Sequence, residues 1–333
     1  MSAIPADLLP VIFLGLMGLS MLLYAILDGF DLGTGLLMFG RTEHQRDQMI
    51  SSIGPFWDAN ETWLVLGVGI LLVAFPVAHG VILGTLYLPV TLMLAGLILR
   101  GVSFDFRAKA QAKRKNLWDL AFFIGSLMTT VTQGYMLGLY ITGFSQTTQA
   151  HLFALLSALC VTAAYTLMGA CWLIIKTTDD LQQIAVNAAK RTVPITALGL
   201  IAVSIVNPMV SPDIFQKWLG FPQMLYIAPL PIATLGLFAY LYHWLHRFPE
   251  KSRHEQVPFF VTVGIFVLAF IGLAYSFYPM IVPGQITVWD AASAPEALRV
   301  ILWGVVFTLP TIVLYTGFSY YVFRGKSRAL TYT

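Results

Sequence analysis

Residues 8–27 read Leu-Leu-Pro-Val-Ile-Phe-Leu-Gly-Leu-Met-Gly-Leu-Ser-Met-Leu-Leu-Tyr-Ala-Ile-Leu, without a single charge. As a helix, a run of this length is about 30 Å long, the thickness of a bilayer's hydrocarbon core. Apolar runs recur at 60–79, 82–101, 118–141, 151–175, 193–210, 223–245, 257–278 and 300–322. Barrel strands would be shorter and would alternate in polarity. The sequence therefore predicts an all-α membrane protein, a bundle of nine transmembrane helices. No linker is long or polar enough to mark a second domain, so residues 1–333 are expected to form a single transmembrane domain.

Composition agrees. The hydrophobic set makes up 58% of the chain and charged residues only 11%. A soluble domain carries about 25% charged residues, because its surface faces water. Too few charges exist here to coat such a surface, so lipid is the expected solvent. Cys160 and Cys171 share one apolar run and read as core residues rather than a disulfide framework. Met1–Pro10 has no basic residue, whereas a cleavable signal peptide starts with a positive region. Residues 8–27 are thus expected to be a retained first span.

Basic residues predict the orientation. Arg41 and Arg46 follow the first run. Arg100, Arg107, Lys109, Lys113, Arg114 and Lys115 follow the third. Lys176, Lys190 and Arg191 follow the fifth; Arg247, Lys251 and Arg253 the seventh; Arg324, Lys326 and Arg328 the last. These sets of 2, 6, 3, 3 and 3 place 17 of the 19 cations on one side, leaving Lys217 and Arg299 on the other. Such a bias marks the cytoplasmic face. The N-terminus is expected outside and the C-terminus in the cytoplasm. The net charge of +3 is spread over alternate loops and forms no patch that would suit nucleic acid. Small-xxx-small pairs at Gly29 and Gly33, Gly80 and Gly84, and Gly134 and Gly138 have the spacing that lets helices approach closely.

Charge at a membrane's edge or interior is costly and usually has a partner or a task. Three stretches carry it. In residues 27–33, L-D-G-F-D-L-G, Asp28 and Asp31 are three apart. On a helix they share a face, and two close carboxylates can hold one proton between them. The alternative is a helix end bordered by solvated acids. In residues 54–63, G-P-F-W-D-A-N-E-T-W, one acid would suit the start of a helix. Asp58, Asn60 and Glu61 together, between Trp57 and Trp63, instead suggest a hydrogen-bonded path or a subunit contact. In residues 99–107, L-R-G-V-S-F-D-F-R, Arg100 either pairs with an acid of the first two stretches or snorkels to lipid phosphates. Asp105 falls at the water boundary. On the opposite side, residues 287–293 after Pro279 and Pro283 read as an ordered loop leading into the last span.

His44, His79, His151, His243, His246 and His254 all fall in loops or near span ends, so no mid-span pair exists to grip a haem. No run has the cysteine spacing of an iron–sulfur or zinc site. Neither a Walker A sequence nor a dinucleotide fingerprint is present. These observations fit a secondary transporter, a channel, or the haem-free partner of a larger complex.

The order and spacing of the three stretches, with Trp118-Asp119 and with Tyr278-Pro279-Met280 before residues 287–293, resemble subunit II of the cytochrome bd-type quinol oxidases. The match runs from about residue 20 to 125 and from about 275 to 322; the middle is similar in hydropathy only. The chain is shorter than many subunits II and resembles the cyanide-insensitive branch. The resemblance implies a complex of the bacterial or archaeal plasma membrane that oxidises quinol and reduces dioxygen to water. It implies haems held mainly by a partner subunit I: two b-type haems plus a d-type or a third b-type. This subunit would pack beside subunit I, line a cytoplasmic-side proton route and have room for a structural quinone. Lipid and a small single-span subunit are further partners it allows. Carried over, Asp28, Trp57, Asp58, Arg100 and Asp105 belong to the proton route, with Asp31 and Glu61 beside them, and Trp63 borders a dioxygen path. The resemblance implies no catalytic, metal-binding or haem-ligating residue in this chain.

Overall fold

The computed structural model describes residues 4–210, 212–248 and 254–327. The cations Lys251, Arg253 and Arg328, and the side chain of Lys113, lie outside that description. The helices in chain order are α1 (Leu8–Leu37), α2 (Glu43–Ile53), α3 (Trp57–Ala74), α4 (Pro76–Thr85), α5 (Tyr87–Lys109), α6 (Ala112–Ile141) and α7 (Thr148–Lys176). They continue with α8 (Asp179–Val210), α9 (Pro212–Leu219), α10 (Gln223–Ile227), α11 (Pro229–His246) and α12 (Val257–Phe277). A two-stranded hairpin, β1 (Met280–Val282) and β2 (Ile286–Thr287), precedes α13 (Pro295–Val322). Among the described residues nine helical segments are long and apolar enough to cross a bilayer: α1, α3, α5, α6, α7, α8, α10 with α11, α12 and α13.

All nine expected spans are found, with boundaries that differ for physical reasons. The first helix runs to Leu37, ten residues past the predicted end, because Asp28 and Asp31 do not stop it. Both are fully buried, and a cation inside the bundle meets their charge. The second span stops at Ala74 rather than 79. Pro76 lacks an N–H and drives the residue before it out of helical geometry. Phe75 accordingly has φ −134° and ψ 59°. The chain turns there into α4, which supplies the connection expected at residues 80–81. The next span begins at Tyr87 instead of 82, and the sixth begins at Asp179, well before 193. Acids suit such a helix start, where the dipole is positive.

At the charged end of the bundle, the segment after α1 folds into α2. Thr42 and Gln45 form a reciprocal capping box at its start. At the opposite end the hairpin pairs Met280 with Thr287 and Val282 with Ile286. Ser293 donates from its backbone N to Ala74 O at 2.8 Å and from Oγ to Val73 O at 2.7 Å. Trp289 Nε1 donates to Asp7 O at 2.9 Å. This loop is ordered, as expected, and ties the starts of α1 and α13 to the end of α3.

Helix α6 packs between α5 and α7, α7 also packs against α8, and α1 lies across α7 and α3. Small residues permit the closest approaches. A Cβ on Gly33 would fall on the backbone carbonyl of Tyr165, and one on Gly169 would fall on the backbone of Gly33. Here α1 and α7 touch backbone to backbone. Gly134 and Gly138 meet Ala158 and Ala154 of α7 in the same way. Gly80 and Gly84 face open space, so their spacing marks no crossing.

Any side chain at Gly33 must force α1 and α7 apart. Overfilling a packed interior costs about 1–3 kcal/mol, and backbone atoms cannot rotate away. Gly33→Leu should lower the thermal midpoint and the yield of detergent-purified protein, whereas Gly84→Leu should leave both near the wild-type values. Equal behaviour of the two variants would show that the crossing does not set the packing.

Candidate functional site

The interior between α1, α3 and α5 holds an ion cluster centred on Arg100. Its Nη1 donates to Asp28 Oδ1 at 2.6 Å and to Glu61 Oε1 at 2.8 Å. Its Nη2 lies 3.8 Å from Asp31 Oδ2. The side chains of Arg100, Asp28 and Asp31 are all inaccessible to solvent, while Glu61 is 24% exposed. Glu61 is therefore where this buried charge meets the surface of the chain. A buried guanidinium is expensive unless it is paired and hydrogen-bonded, and here one cation serves three carboxylates. Of the two readings left open for Arg100, pairing is the one observed.

Each element places its residue for a local reason. Asp28 and Asp31 lie on one face of α1, and the crossing at Gly33 presses that helix into the bundle. Glu61 and Asn60 stand in the first turns of α3. Asn60 Nδ2 donates to Asp31 Oδ2 at 2.7 Å and to Leu27 O at 3.3 Å. Tyr320 of α13 donates its hydroxyl to Asn60 Oδ1 at 3.0 Å. The amide is thus fixed from both sides and holds Asp31 beside the guanidinium. Arg100 also stands over the Phe122 ring of α6, 5.8 Å from its centre.

The sequence-predicted residues divide into two groups. Asp28, Asp31, Glu61 and Arg100 come together. Asp58 and Asp105 do not join them and are exposed on this chain. Asp58 lies one helical turn before Glu61, and Asp105 lies beyond Arg100 toward the charged end of α5. Trp57 packs on the charged half of α5, with its ring 5.0 Å from Phe104 and against Gly101. Trp63 is buried with Tyr24, Leu64 and Met93.

Other contributors were missed. Gln133 of α6 donates from Nε2 to Tyr24 Oη at 2.5 Å, and Tyr165 of α7 donates its hydroxyl to Gln133 Oε1 at 2.9 Å. This chain of side chains reaches the cluster one helical turn from Asp28. An amide within an apolar run was the available signal: Gln133 is the one Asn or Gln of residues 118–141. Nearer the charged end, Arg107 binds Asp119 through Nε, and its Nη1 lies 2.7 Å from Asp47 Oδ1. Arg46 Nε is 3.1 Å from Asp119 Oδ2, and Arg46 Nη2 donates to Asn116 Oδ1 at 2.5 Å. This second cluster clamps α2 onto the ends of α5 and α6. Drawing α5 and α6 as an antiparallel pair would have put Arg107 near Asp119.

The histidines occupy α2, α4, the first turn of α7, the last turns of α11 and the segment before α12. Tyr135 already engages His151, at 2.7 Å from Nδ1. This donor set does not fit a haem gripped between two helices of this chain.

Comparisons with known proteins agree along nearly the whole chain. The family described as "Cytochrome bd terminal oxidase subunit II" matches residues 9–323. That match includes the middle third, where the sequence alone offered only similar hydropathy. The chain is 28% identical, over an alignment 357 positions long, to "Cytochrome bd-I ubiquinol oxidase subunit 2" of Escherichia coli strain K12, covering 93% of each. It is 27% identical over 323 residues to "Cytochrome bd ubiquinol oxidase subunit 2" of Bacillus subtilis strain 168, covering 91% of this chain and 92% of the other. A chain of the bd oxidase structure from Geobacillus thermodenitrificans shares the fold. Its TM-score is 0.75 at 18% identity, over 92% of this chain and 97% of that one. With nine apolar spans around a charged interior, this multi-pass plasma-membrane chain belongs to the cytochrome bd terminal oxidase subunit II family.

Proposed function

We propose that this chain serves a quinol oxidase complex by carrying protons inward from the cytoplasmic face toward haems held by subunit I. The observation that carries the proposal is the fully buried Arg100, bound to Asp28 and Glu61 and near Asp31, with Glu61 reaching the surface. In such a complex two quinols supply four electrons, and dioxygen takes these with four protons to give two waters. The haems supply the electron transfer when present in the partner. This chain's own residues bind, orient and pass protons.

The end to which loop alternation in the sequence assigns 17 of the 19 cations is taken as cytoplasmic, and the N-terminus as outside. The nine spans are taken as one transmembrane domain. Asp58 and Asp105 are the entrance, exposed on this chain and placed to receive a proton from water or from the subunit interface. Glu61 lies one turn deeper than Asp58 on α3, about 4–5 Å along the axis. Beyond it stand Asp28 and Asp31. Arg100 is not itself a relay, because a guanidinium keeps its protons in proteins. It holds two carboxylates close enough to exchange a proton and fixes their geometry. Trp57 and Phe104 shield the group from bulk water at the charged end. Trp63, in an apolar pocket with Met93 and Leu64, is assigned to the border of a dioxygen path.

Two measurements on the purified complex test this reading. Asp58→Asn should slow oxygen consumption about a hundredfold, the low end of what a positioned proton-transfer group contributes, while haem absorbance per complex stays at the wild-type level. Full turnover in an assembled Asp58→Asn complex would remove Asp58 from the route. Arg100→Leu should act earlier, because it leaves three carboxylates without their cation. Removing one partner of a buried pair costs about 3–5 kcal/mol, so the yield of haem-bearing complex should fall sharply. A normal yield with normal haem spectra would show that Arg100 does not hold the cluster together.

A further inference from the structure

We propose that Gln133 is a positioning residue for Asp28, acting through the Tyr24 hydroxyl. The proposal rests on the proton-route reading above and adds residues that lie outside its chain of acids. The decisive feature is the direction of the hydrogen bonds. Tyr165 donates to Gln133 Oε1, so the amide turns its Nε2 toward Tyr24, and the Tyr24 oxygen accepts. A phenol that accepts from an amide still has its own hydrogen to give. Asp28 stands one turn further along α1, on the same face as Tyr24. Asp28 Oδ1 is taken by Arg100, whereas Oδ2 is a fully buried oxygen with no donor of its own. Tyr24 is 3% exposed, so water does not compete freely for its hydrogen.

The far end of this chain of contacts is closely packed. The Tyr165 ring lies against Gly29 of α1 on one side and stacks on Phe266 of α12, 6.2 Å between centres, on the other. With Tyr165 fixed, its hydrogen needs an acceptor, and only one orientation of the Gln133 amide provides it. The reversed amide would place Oε1 on Tyr24 and draw the phenolic hydrogen away from Asp28. Gln133 thus decides whether Tyr24 is a donor to the carboxylate. On this proposal the free Tyr24 hydrogen turns to Asp28 Oδ2 while Arg100 holds Oδ1, the pose from which the carboxylate passes a proton. No bond is made or broken in Gln133 or Tyr165.

The test uses the assembled oxidase complex. Gln133→Leu and Tyr24→Phe should each slow oxygen consumption about fivefold, as expected for one lost hydrogen bond. KM for quinol and the haem absorbance should not change, and the solvent deuterium isotope effect should rise. Tyr165→Phe should fall between these variants and wild type, because the amide is then free in either orientation. A second readout is independent of turnover. In infrared redox-difference spectra, the carboxyl band missing from Asp28→Asn should be displaced in Gln133→Leu. Full turnover in Gln133→Leu beside a slowed Asp28→Asn would overturn the positioning role and leave the proton route standing. A slowed Gln133→Leu with that band unmoved, or with an unchanged isotope effect, would also overturn it, since packing alone would then explain the loss. Full turnover in Asp28→Asn, or a spectrum identical to wild type, would overturn the underlying route instead.

Discussion

A guanidinium placed where neither water nor lipid headgroups can reach it must be neutralised by the protein, and that need organises this molecule. Arg100 is fully buried among α1, α3 and α5. The desolvation cost of such an ion is several kcal/mol even after relaxation, so the three helices must deliver carboxylates to within hydrogen-bonding distance. They do so with Asp28, Glu61 and, slightly further off, Asp31. Losing the register of any one helix would expose the others to an uncompensated charge. The same constraint that keeps the helices together also gathers several ionisable groups in one place. A structural demand and a chemical opportunity therefore coincide.

The approach is possible because of what is missing from the side chains nearby. Backbone contact at Gly33 and Gly169 sets α1 close to α7. Gly96 of α5 and Gly125 of α6 meet in the same manner, directly beside Arg100. In a membrane, where apolar surface gains little by association, close van der Waals contact and interhelical hydrogen bonds have to supply the cohesion. The cluster provides the hydrogen bonds and the glycines provide the closeness.

Much of this was legible in the residues. The apolar runs gave nine spans, and the unusual polar stretches pointed to Asp28, Asp31, Asn60, Glu61 and Arg100 before any fold was drawn. What hydropathy could not give was where charge is tolerated inside. The end of α1 was placed too early because Asp28 looks like a boundary when its partner, 72 positions away in sequence, is not in view. The bend at Phe75 was missed because its apolar flanks hid Pro76 in a continuous run. Gln133 and Tyr165 carry no spacing that would pair them in the sequence, and their meaning lies in helix faces that only tertiary packing brings together. Small-residue spacing was equally ambiguous. It marked true crossings at Gly33 and Gly138 and nothing at Gly84.

The attachment of α13 has its own consequence. Its flank is mostly uncovered, with only Leu298 and Leu302 buried. What secures it lies at its extremities. Ser293 binds the end of α3. At the other extremity Lys176 reaches the carbonyls of Phe323 and Gly325, while Lys326 returns to Thr177 O at 2.9 Å. The segment is moored like a drawbridge, by its two ends. Near one of them Tyr320 gives its hydroxyl to Asn60, which in turn restrains the Asp31 carboxylate. Whatever displaces the last crossing therefore also loosens a carboxylate of the buried charge centre, so the anchoring of α13 and the geometry of the interior are mechanically one.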